Sequence, residues 1–238
     1  MGAKEQDTLI QIPPGLPDVH PDEEIPSATI MTPLSEYSAH DTQTRKPSDV
    51  GASQMTRLRR KFAKANGVVR LDEFKLQEVL GEGRSGRVFQ AQWRGELVAL
   101  KVCDLWQNPE YEVEMLAEVA TYKTLAPLQG DCIPRFKIGG YDGGIFAIVT
   151  EIVGSPLEVD ELSQEERWKV VDKLSLIHTY GILHNDIRLD NILVRRDSNG
   201  VQVQFIDFAW SKPASNRRDL RKETSKLKML LGLLASEP

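Results

Sequence analysis

Residues 184–194 carry one continuous motif, His184-Asn185-Asp186-Ile187-Arg188-Leu189-Asp190-Asn191-Ile192-Leu193-Val194. The motif follows a helical pattern and ends in apolar residues, so it predicts a loop that leads into a short strand. Asp186 and Asn191 lie five positions apart in this loop. A carboxylate there can orient a hydroxyl group and accept its proton. An amide oxygen five residues further on can hold a metal ion close to that carboxylate.

The other polar residues of this motif have simpler interpretations. We interpret His184 as a packed structural histidine and Asp190 as a solvated loop residue. Arg188 is either a surface charge or a point charge that reaches a phosphate group.

A second acidic candidate follows in the run Phe205-Ile206-Asp207-Phe208-Ala209. The apolar pattern of residues 201–206 predicts a strand that ends just before Asp207. A hard cation such as Mg²⁺ prefers oxygen ligands, and substrate phosphates commonly complete its shell. Asp207 and Asn191 are therefore the predicted metal ligands.

Upstream lies a glycine-rich run, Gly81-Glu82-Gly83-Arg84-Ser85-Gly86. Strand patterns precede it at residues 74–80 and follow it at residues 88–93. A dinucleotide-binding helix is excluded here, because a helix would have to follow the glycines. Two interpretations remain: a plain hairpin turn, or a strand–turn–strand in which backbone amides approach phosphates closely.

Lys101 ends the apolar run Val98-Ala99-Leu100-Lys101. A buried ammonium group needs an anionic partner, which can be a phosphate or a carboxylate. Asn108 and Pro109 predict the start of a helix that runs to Leu125. Glu118 on this helix is the favoured partner, with Glu112 and Glu114 as alternatives.

The order of the predicted elements indicates the fold class. Strands come first with one helix inserted, and they include a hairpin at residues 135–153 around Asp142-Gly143-Gly144. A helix opened by a Ser163–Glu166 capping box follows. A last helix is predicted over residues 218–234, with Leu220, Leu227, Leu231 and Leu234 on one side. This order favours an α+β fold over a doubly wound sheet.

Composition narrows the class of protein. The net charge of −5 and the pI of about 5.5 argue against a general nucleic-acid binder. Two cysteines do not suggest a disulfide-stapled secreted scaffold. The sequence has neither a signal-peptide pattern nor an apolar run long enough to span a membrane. We therefore expect an intracellular protein, in the cytoplasm or the nucleus.

The chain divides into a tail and a domain. The first fifty residues hold seven of the thirteen prolines and show little apolar periodicity. Residues 1–68 are therefore predicted to be a disordered tail. Its basic run at residues 57–64 is interpreted as a solvated segment, with a nuclear signal or a patch for an anionic surface as the alternatives. Residues 69–238 are predicted to form the domain, with lobes at 69–153 and 154–238.

Taken in order, these motifs resemble those of the eukaryotic protein kinase family over residues 74–211. The resemblance implies a two-lobed fold with a β-rich first lobe and a short, mostly helical second lobe, and ATP between them. It implies a nucleotide-binding set comprising Gly81, Gly83, Gly86, Val88, Ala99, Lys101, Glu118, Glu151 and Val153. Backbone groups of Glu151 and Val153 are expected to bind the adenine, with Thr150 at the border of the pocket.

The resemblance also implies roles in catalysis. Asp186 is the expected catalytic base, assisted by Lys101 and Arg188. Asn191 and Asp207 are expected to bind Mg²⁺. The expected reaction is transfer of phosphate from ATP to Ser or Thr hydroxyls of proteins.

Several positions depart from the family pattern. Asn185 replaces an arginine, Arg188 replaces a lysine, and Ala209 replaces a glycine that matters if the backbone there needs a positive φ. Only 31 residues follow Asp207. Three alternatives therefore stay open: a small-molecule kinase, a catalytically inactive nucleotide-binding module that acts through protein partners, and a fragment that folds poorly.

Overall fold

The computed structural model describes residues 57, 59–64, 68–198 and 200–234. A lobe dominated by β-strands comes first, and a lobe that contains two of the three longer helices of the described residues follows it. The predicted α+β, two-lobed arrangement is confirmed. Most of the predicted tail, residues 1–56, lies outside the described residues.

The first lobe is built on one antiparallel sheet with the strand order β1-β2-β3-β5-β4. Its strands are β1 (Lys75–Gly83), β2 (Gly86–Trp93), β3 (Glu96–Asp104), β4 (Phe136–Asp142) and β5 (Ile145–Glu151). The sequence pattern ended the first strand at Leu80, but β1 continues to Gly83 because that residue still pairs with Gly86. The glycine-rich run is therefore part of the β1–β2 hairpin.

The helix of this lobe, α1 (Glu112–Thr124), starts later than the sequence predicts. Asn108 makes no capping hydrogen bond, and its side-chain amide donates to the carbonyl of Asp104 instead. Pro109–Tyr111 then form a single 3₁₀ turn that leads into the helix. Met115 and Val119 of α1 are buried beneath the sheet, so the helix is held at a fixed position against β5.

Part of the predicted tail is folded. Residues 57 and 59–64 are helical, and the ring of Phe62 packs against Tyr141 and Phe146. The guanidinium of Arg59 makes two hydrogen bonds to the buried carboxylate of Glu112, at 2.9 and 3.0 Å. Of the basic residues expected to be solvated, Arg57, Arg60, Lys61 and Lys64 are exposed. Arg59 is the exception among them, because it is half-buried in its pair with Glu112.

The second lobe combines short strands with two helices. Its elements are β6 (Ser155–Pro156), α2 (Gln164–Thr179), β7 (Ile182–Leu183), β8 (Ile192–Asp197), β9 (Gly200–Phe205), β10 (Lys212–Pro213) and α3 (Arg217–Leu230). Strands β6, β8 and β9 form one small sheet, and β7 pairs with β10. The predicted capping box at the start of α2 is confirmed, because Ser163 and Glu166 each accept a hydrogen bond from the other's backbone N–H.

Helix α3 packs on α2 and closes the core of the second lobe. Leu227 and Leu231 are fully buried there, together with Leu174 and Ile177 of α2. Leu234, predicted to share the buried side, is 42% exposed because the helix ends at Leu230 and Gly232 turns the chain with φ +65°. None of the helices in the described residues has the length and apolar character needed to cross a bilayer.

Candidate active site

Lys101 lies near the middle of β3 and binds two carboxylates. Its Nζ is 2.7 Å from Glu118 Oε2 and 2.7 Å from Asp207 Oδ1. Glu118 is the partner that the sequence favoured over Glu112 and Glu114. Those two residues pair elsewhere, with Arg59 and Arg84 respectively.

Lys101 and Asp207 each favour the charged form of the other. Burial disfavours the ammonium of Lys101, but the neighbouring carboxylates outweigh that effect and raise the pKa of Lys101. Burial likewise opposes ionisation of Asp207, yet the attraction of Lys101 holds the pKa of Asp207 below its ordinary value. Lys101 and Asp207 are therefore both charged at neutral pH.

The register of the sheet places the predicted nucleotide-binding residues of β2 and β3 on one face. Val88 lies directly opposite Lys101, and Ala99 precedes Lys101 by two positions. Opposed residues of an antiparallel pair and alternate residues of a strand point to the same side. Thr150 pairs with Ala99 and extends this face to the end of β5.

The fold has room for a Cβ at some of the glycines of the β1–β2 hairpin and not at others. A Cβ added to Gly86 would lie 2.0 Å from the carbonyl oxygen of Val102, so the fold requires glycine there. A Cβ added to Gly81 or Gly83 would meet nothing within 4 Å. The fold does not explain the glycines at these two positions, whereas a ligand that approaches the hairpin backbone closely would.

Arg84, at the tip of this hairpin, joins the two lobes. Its guanidinium donates to Glu114 Oε2 at 2.7 Å and lies 4.8 Å from the ring centroid of Trp210, which follows Asp207 by three residues. It also lies 5.0 Å from the ring centroid of Tyr111. No local sequence pattern indicates these contacts, because they depend on side chains far apart in the chain.

Glu151 at the end of β5 and Val153 just after it differ in which backbone groups can bind a ligand. The backbone N–H of Glu151 donates to the carbonyl of Arg135 at 2.9 Å, and the Glu151 carboxylate accepts from the backbone N–H of Arg135. Val153 follows in an irregular segment and makes no backbone hydrogen bond to another described residue. Val153 thus has backbone groups available for a ligand, and the N–H of Glu151 does not.

The loop after β7 brings Asp186 and Asn191 together. The side-chain amide of Asn191 donates to Asp186 Oδ2 at 2.9 Å and to the Asp186 carbonyl at 3.0 Å. The Ile206 N–H donates to the Asn191 carbonyl, which ties this loop to the residue before Asp207. Arg188 lies between the two acids, 3.4 Å from Asp186 and 3.9 Å from Asp207.

His184 is fully buried beneath this loop. Its Nε2 lies 2.9 Å from the carbonyl oxygen of Ile206, so this nitrogen carries the proton and donates. Burial lowers the pKa of His184, and the ring packs against Phe205 and Phe208. These contacts match its interpretation as a structural histidine.

Two residues of the site have left-handed backbone. Asn185 has φ +64° and Asp207 has φ +63°. Asparagine and aspartate tolerate this conformation better than most residues. Ala209 is absent from the positive-φ residues of the described chain, so the replacement of glycine at position 209 brings no backbone strain.

Glu223 of α3 is a site residue that the sequence analysis missed. Its Oε1 accepts a hydrogen bond from the Asn185 N–H at 2.5 Å, and its Oε2 accepts one from the His184 N–H at 3.1 Å. Oε2 also lies 2.8 Å from His178 Nε2. The carboxylate therefore fixes the backbone immediately before Asp186. Its position between Leu220 and Leu227 on the apolar side of the predicted helix was a signal that could have found it.

The residues of the site fit a Mg²⁺ ion bound together with phosphates. Asn191 uses its amide nitrogen on Asp186, which leaves its amide oxygen for a cation, and Asp207 adds a carboxylate. Within the described residues, no group of three or more His, Cys, Asp or Glu side chains is placed to hold a metal. Proteins usually bind Mg²⁺ through one or two side-chain oxygens, and phosphate and water oxygens complete its coordination shell.

Comparisons with known proteins agree with this geometry. The family model for the protein kinase domain matches residues 74–228. Misshapen-like kinase 1 of Rattus norvegicus is 26% identical over 155 residues, which cover 58% of this chain and 11% of that protein. A probable serine/threonine-protein kinase of Dictyostelium discoideum is 32% identical over 174 residues, which cover 66% of this chain and 10% of that protein. The matched part is thus about a tenth of the length of these relatives.

The match extends the resemblance found in the motifs. The motifs covered residues 74–211, whereas the family model continues to residue 228 and so includes most of α3. The carboxylate of Glu223 therefore falls within the matched region. The recognition made from the motifs is confirmed: the chain belongs to the protein kinase domain family.

Proposed function

We propose that this chain is an ATP-dependent phosphotransferase whose acceptor is the hydroxyl group of a serine or threonine in a protein. One observation carries the proposal: Lys101, Asp186 and Asp207 come together from β3, the loop after β7 and the segment after β9. Arg188 lies within 4.0 Å of both acids. The names of the similar serine/threonine kinases support the class of acceptor.

The nucleotide would be held mainly by backbone and charge. A Cβ at Gly81 or Gly83 would meet nothing within 4 Å, so a phosphate has room to approach the hairpin backbone there. Lys101 lies opposite Val88, which in turn pairs with Gly81, and supplies a cation on the same face of the sheet. Asn191 and Asp207 would hold the Mg²⁺ ion, which when bound neutralises phosphate charge. The adenine would bind backbone groups of Val153, which make no backbone hydrogen bond to any other residue that the structure describes.

Transfer would depend on Asp186. Its carboxylate is held by the Asn191 amide and is partly exposed, so it can accept the proton of an incoming hydroxyl group. The oxygen of the acceptor hydroxyl then bonds to the terminal phosphorus of ATP, as the bond between that phosphorus and the ADP oxygen breaks. Arg188 adds positive charge beside the same carboxylate.

One observation favours a different acceptor or no transfer at all. Only nine residues, 208–216, separate Asp207 from the first residue of α3. A segment this short offers little surface for an acceptor peptide. A small-molecule hydroxyl is the alternative acceptor, and a nucleotide-binding module that acts through protein partners is the alternative function.

The test is transfer of labelled γ-phosphate from Mg·ATP to a mixed protein pool, with ATP binding measured separately. Asp186→Asn should lower transfer by about 10²–10⁴-fold, the usual contribution of a general base, and leave ATP binding almost unchanged. The matched control is Asp190→Asn, which makes the same change at an exposed position of the same loop. This control should retain transfer.

Each other outcome selects an alternative. Transfer that is equal in the parent and in Asp186→Asn would refute the assigned role of Asp186. ATP binding without transfer to proteins or small hydroxyl compounds would assign the chain as a nucleotide-binding module. Transfer only to small compounds would keep the chemistry and refute the protein acceptor.

A further inference from the structure

Helix α3 presents a basic outer surface on the side opposite to Glu223 and Leu227. The residues of this α3 basic surface border one shallow, open groove and are all exposed: Arg218, Arg221, Lys222, Lys226, Met229 and Leu230. None of them belongs to the site around Asp186. The surface therefore needs an explanation apart from catalysis.

The positive charge of this surface is not neutralised by ion pairs within the part of the chain that the structure describes. None of its four basic side chains lies within 4.0 Å of a carboxylate among the described residues. On the neighbouring α2 the situation differs, since Lys173 pairs with Asp131 and Lys169 pairs with Glu165. A cluster of unpaired cations creates a potential that attracts acidic groups.

The surface also has an apolar end. Met229 is 59% exposed and Leu230 is 37% exposed, one turn beyond Lys226. A matching ligand would carry several carboxylates followed by an apolar side chain. A free phosphate would use the cations but would leave Met229 and Leu230 in water.

The chain itself contains such a segment. Residues 18–25 have the sequence Asp18-Val19-His20-Pro21-Asp22-Glu23-Glu24-Ile25. They supply four carboxylates, and the apolar Ile25 follows the last of them. Residues 1–56 as a whole contain nine acidic and three basic side chains. Their net charge is therefore opposite in sign to that of the α3 basic surface.

Chain length allows the contact. The 31 residues from 26 to 56 can span at most about 100 Å when fully extended. A compact domain of the size of the described chain has a diameter of roughly 40 Å. The segment can therefore reach α3 from the point at which the described chain begins.

We propose that residues 18–25 bind the α3 basic surface of the same chain. The carboxylates of residues 22–24 pair with Arg221, Lys222 and Lys226, and Ile25 covers Met229. A covalently attached segment has an effective concentration in the millimolar range, so even weak pairing is populated. The contact is electrostatic and is released by salt. It does not depend on phosphotransfer.

The test uses the full-length protein with a nitroxide on Ser225→Cys, at the exposed centre of the surface. Cys103 and Cys132 are buried and therefore protected from the label. In ¹⁵N-labelled protein, the amide signals of residues 18–25 should lose most of their intensity when the nitroxide is oxidised and regain it when the nitroxide is reduced. At about 1 M salt, where the Debye length is about 3 Å, the loss should disappear.

Charge reversal provides the matched variants. Asp22→Lys, Glu23→Lys and Glu24→Lys together should abolish the loss of signal, and so should Arg221→Glu, Lys222→Glu and Lys226→Glu together. Combining both sets should restore it. These positions are exposed or lie outside the described residues, and circular dichroism checks that each variant keeps its helices.

Three outcomes would overturn the proposal. The first is an unchanged tail signal in the parent. The second is an equal loss when spin-labelled ¹⁴N protein is mixed with unlabelled ¹⁵N protein, which would assign the contact to a second copy. The third is sedimentation with phosphatidylserine vesicles that the α3 reversal abolishes, without any loss of tail signal, which would assign the surface to a membrane.

Discussion

Replacement of Glu223 tests whether α3 fixes the loop that carries Asp186. Glu223→Ala leaves the N–H groups of His184 and Asn185 without their acceptor. Leaving a buried donor unsatisfied costs about 1–3 kcal/mol, and bonds to charged groups lie at the upper end of this range. His184 is fully buried, whereas Asn185 is exposed and can bind water. We therefore expect a loss of about 2–3 kcal/mol in the free energy of unfolding, most of it from the buried N–H of His184. Glu223→Gln keeps one acceptor oxygen and should lose about half as much.

The assay is urea unfolding of the full chain, with the slope of the transition compared between variants. The control is Glu165→Ala on α2, whose side chain is 82% exposed in its pair with Lys169. An exposed pair of this kind contributes at most about 1 kcal/mol. If phosphotransfer is present, Glu223→Gln should lower kcat at least about tenfold with little change in the KM for ATP, because the loop around Asp186 loses one of its two anchoring hydrogen bonds while Lys101 keeps its contacts.

One result would refute this reasoning. If Glu223→Ala unfolds at the same urea concentration as Glu165→Ala, the two backbone hydrogen bonds contribute nothing measurable. The catalytic loop would then be held by its other contacts, such as the Ile206 N–H to the Asn191 carbonyl. A loss of stability without any change in kcat would instead confine Glu223 to a structural role.

Three further predictions follow from other parts of the structure. Gly86→Ala should lower the free energy of unfolding by about 3 kcal/mol, because the new Cβ would meet the Val102 carbonyl. The control variant Gly81→Ala should unfold like the parent and weaken only nucleotide binding. Equal unfolding of the two variants would contradict the steric argument. Burial disfavours the charged form of His184, so its pKa in the folded chain is below the unfolded value of 6.5. As the pH falls, the unfolded chain therefore binds this proton at a higher pH than the folded chain does. Stability should therefore fall below pH 6.5 by up to about 1.4 kcal/mol per pH unit, and His184→Gln should show a shallower pH dependence in urea unfolding. Phe62→Ala should destabilise the protein by about 3 kcal/mol in the same assay, whereas a value near zero would show that this ring does not belong to the core.

The chemistry-bearing motifs were predictable because each one is local in the sequence. The glycine-rich run, the lysine in an apolar strand and the Asp186–Asn191 spacing are visible within a few residues. The order of the motifs then gave the α+β class and the approximate strands. Glu118 was favoured over its neighbours only by spacing, and the 2.7 Å contact with Lys101 shows where that side chain lies.

The missed features share a physical cause. Glu223 binds backbone N–H groups almost forty residues earlier, so its place on the apolar side of the helix indicates a buried acid but not the groups that it binds. Arg84 contacts Trp210 across the two lobes, which no local pattern encodes. The start of α1 was misplaced because the Asn108 amide had a competing acceptor in Asp104. Contacts between distant residues thus determine features that helix propensity and motif spacing do not predict.

The helical segment at residues 57 and 59–64 changes where the independently folding unit begins. The family match starts at residue 74, but the ring of Phe62 packs against both Tyr141 and Phe146. A recombinant protein trimmed to the matched region would expose those rings to water. It would also leave the carboxylate of Glu112, which is 3% exposed, without its guanidinium partner. For this chain, the region that resembles other kinases therefore begins later than the region that folds as one cooperative unit. A shortened protein should keep the helical segment at residues 57 and 59–64.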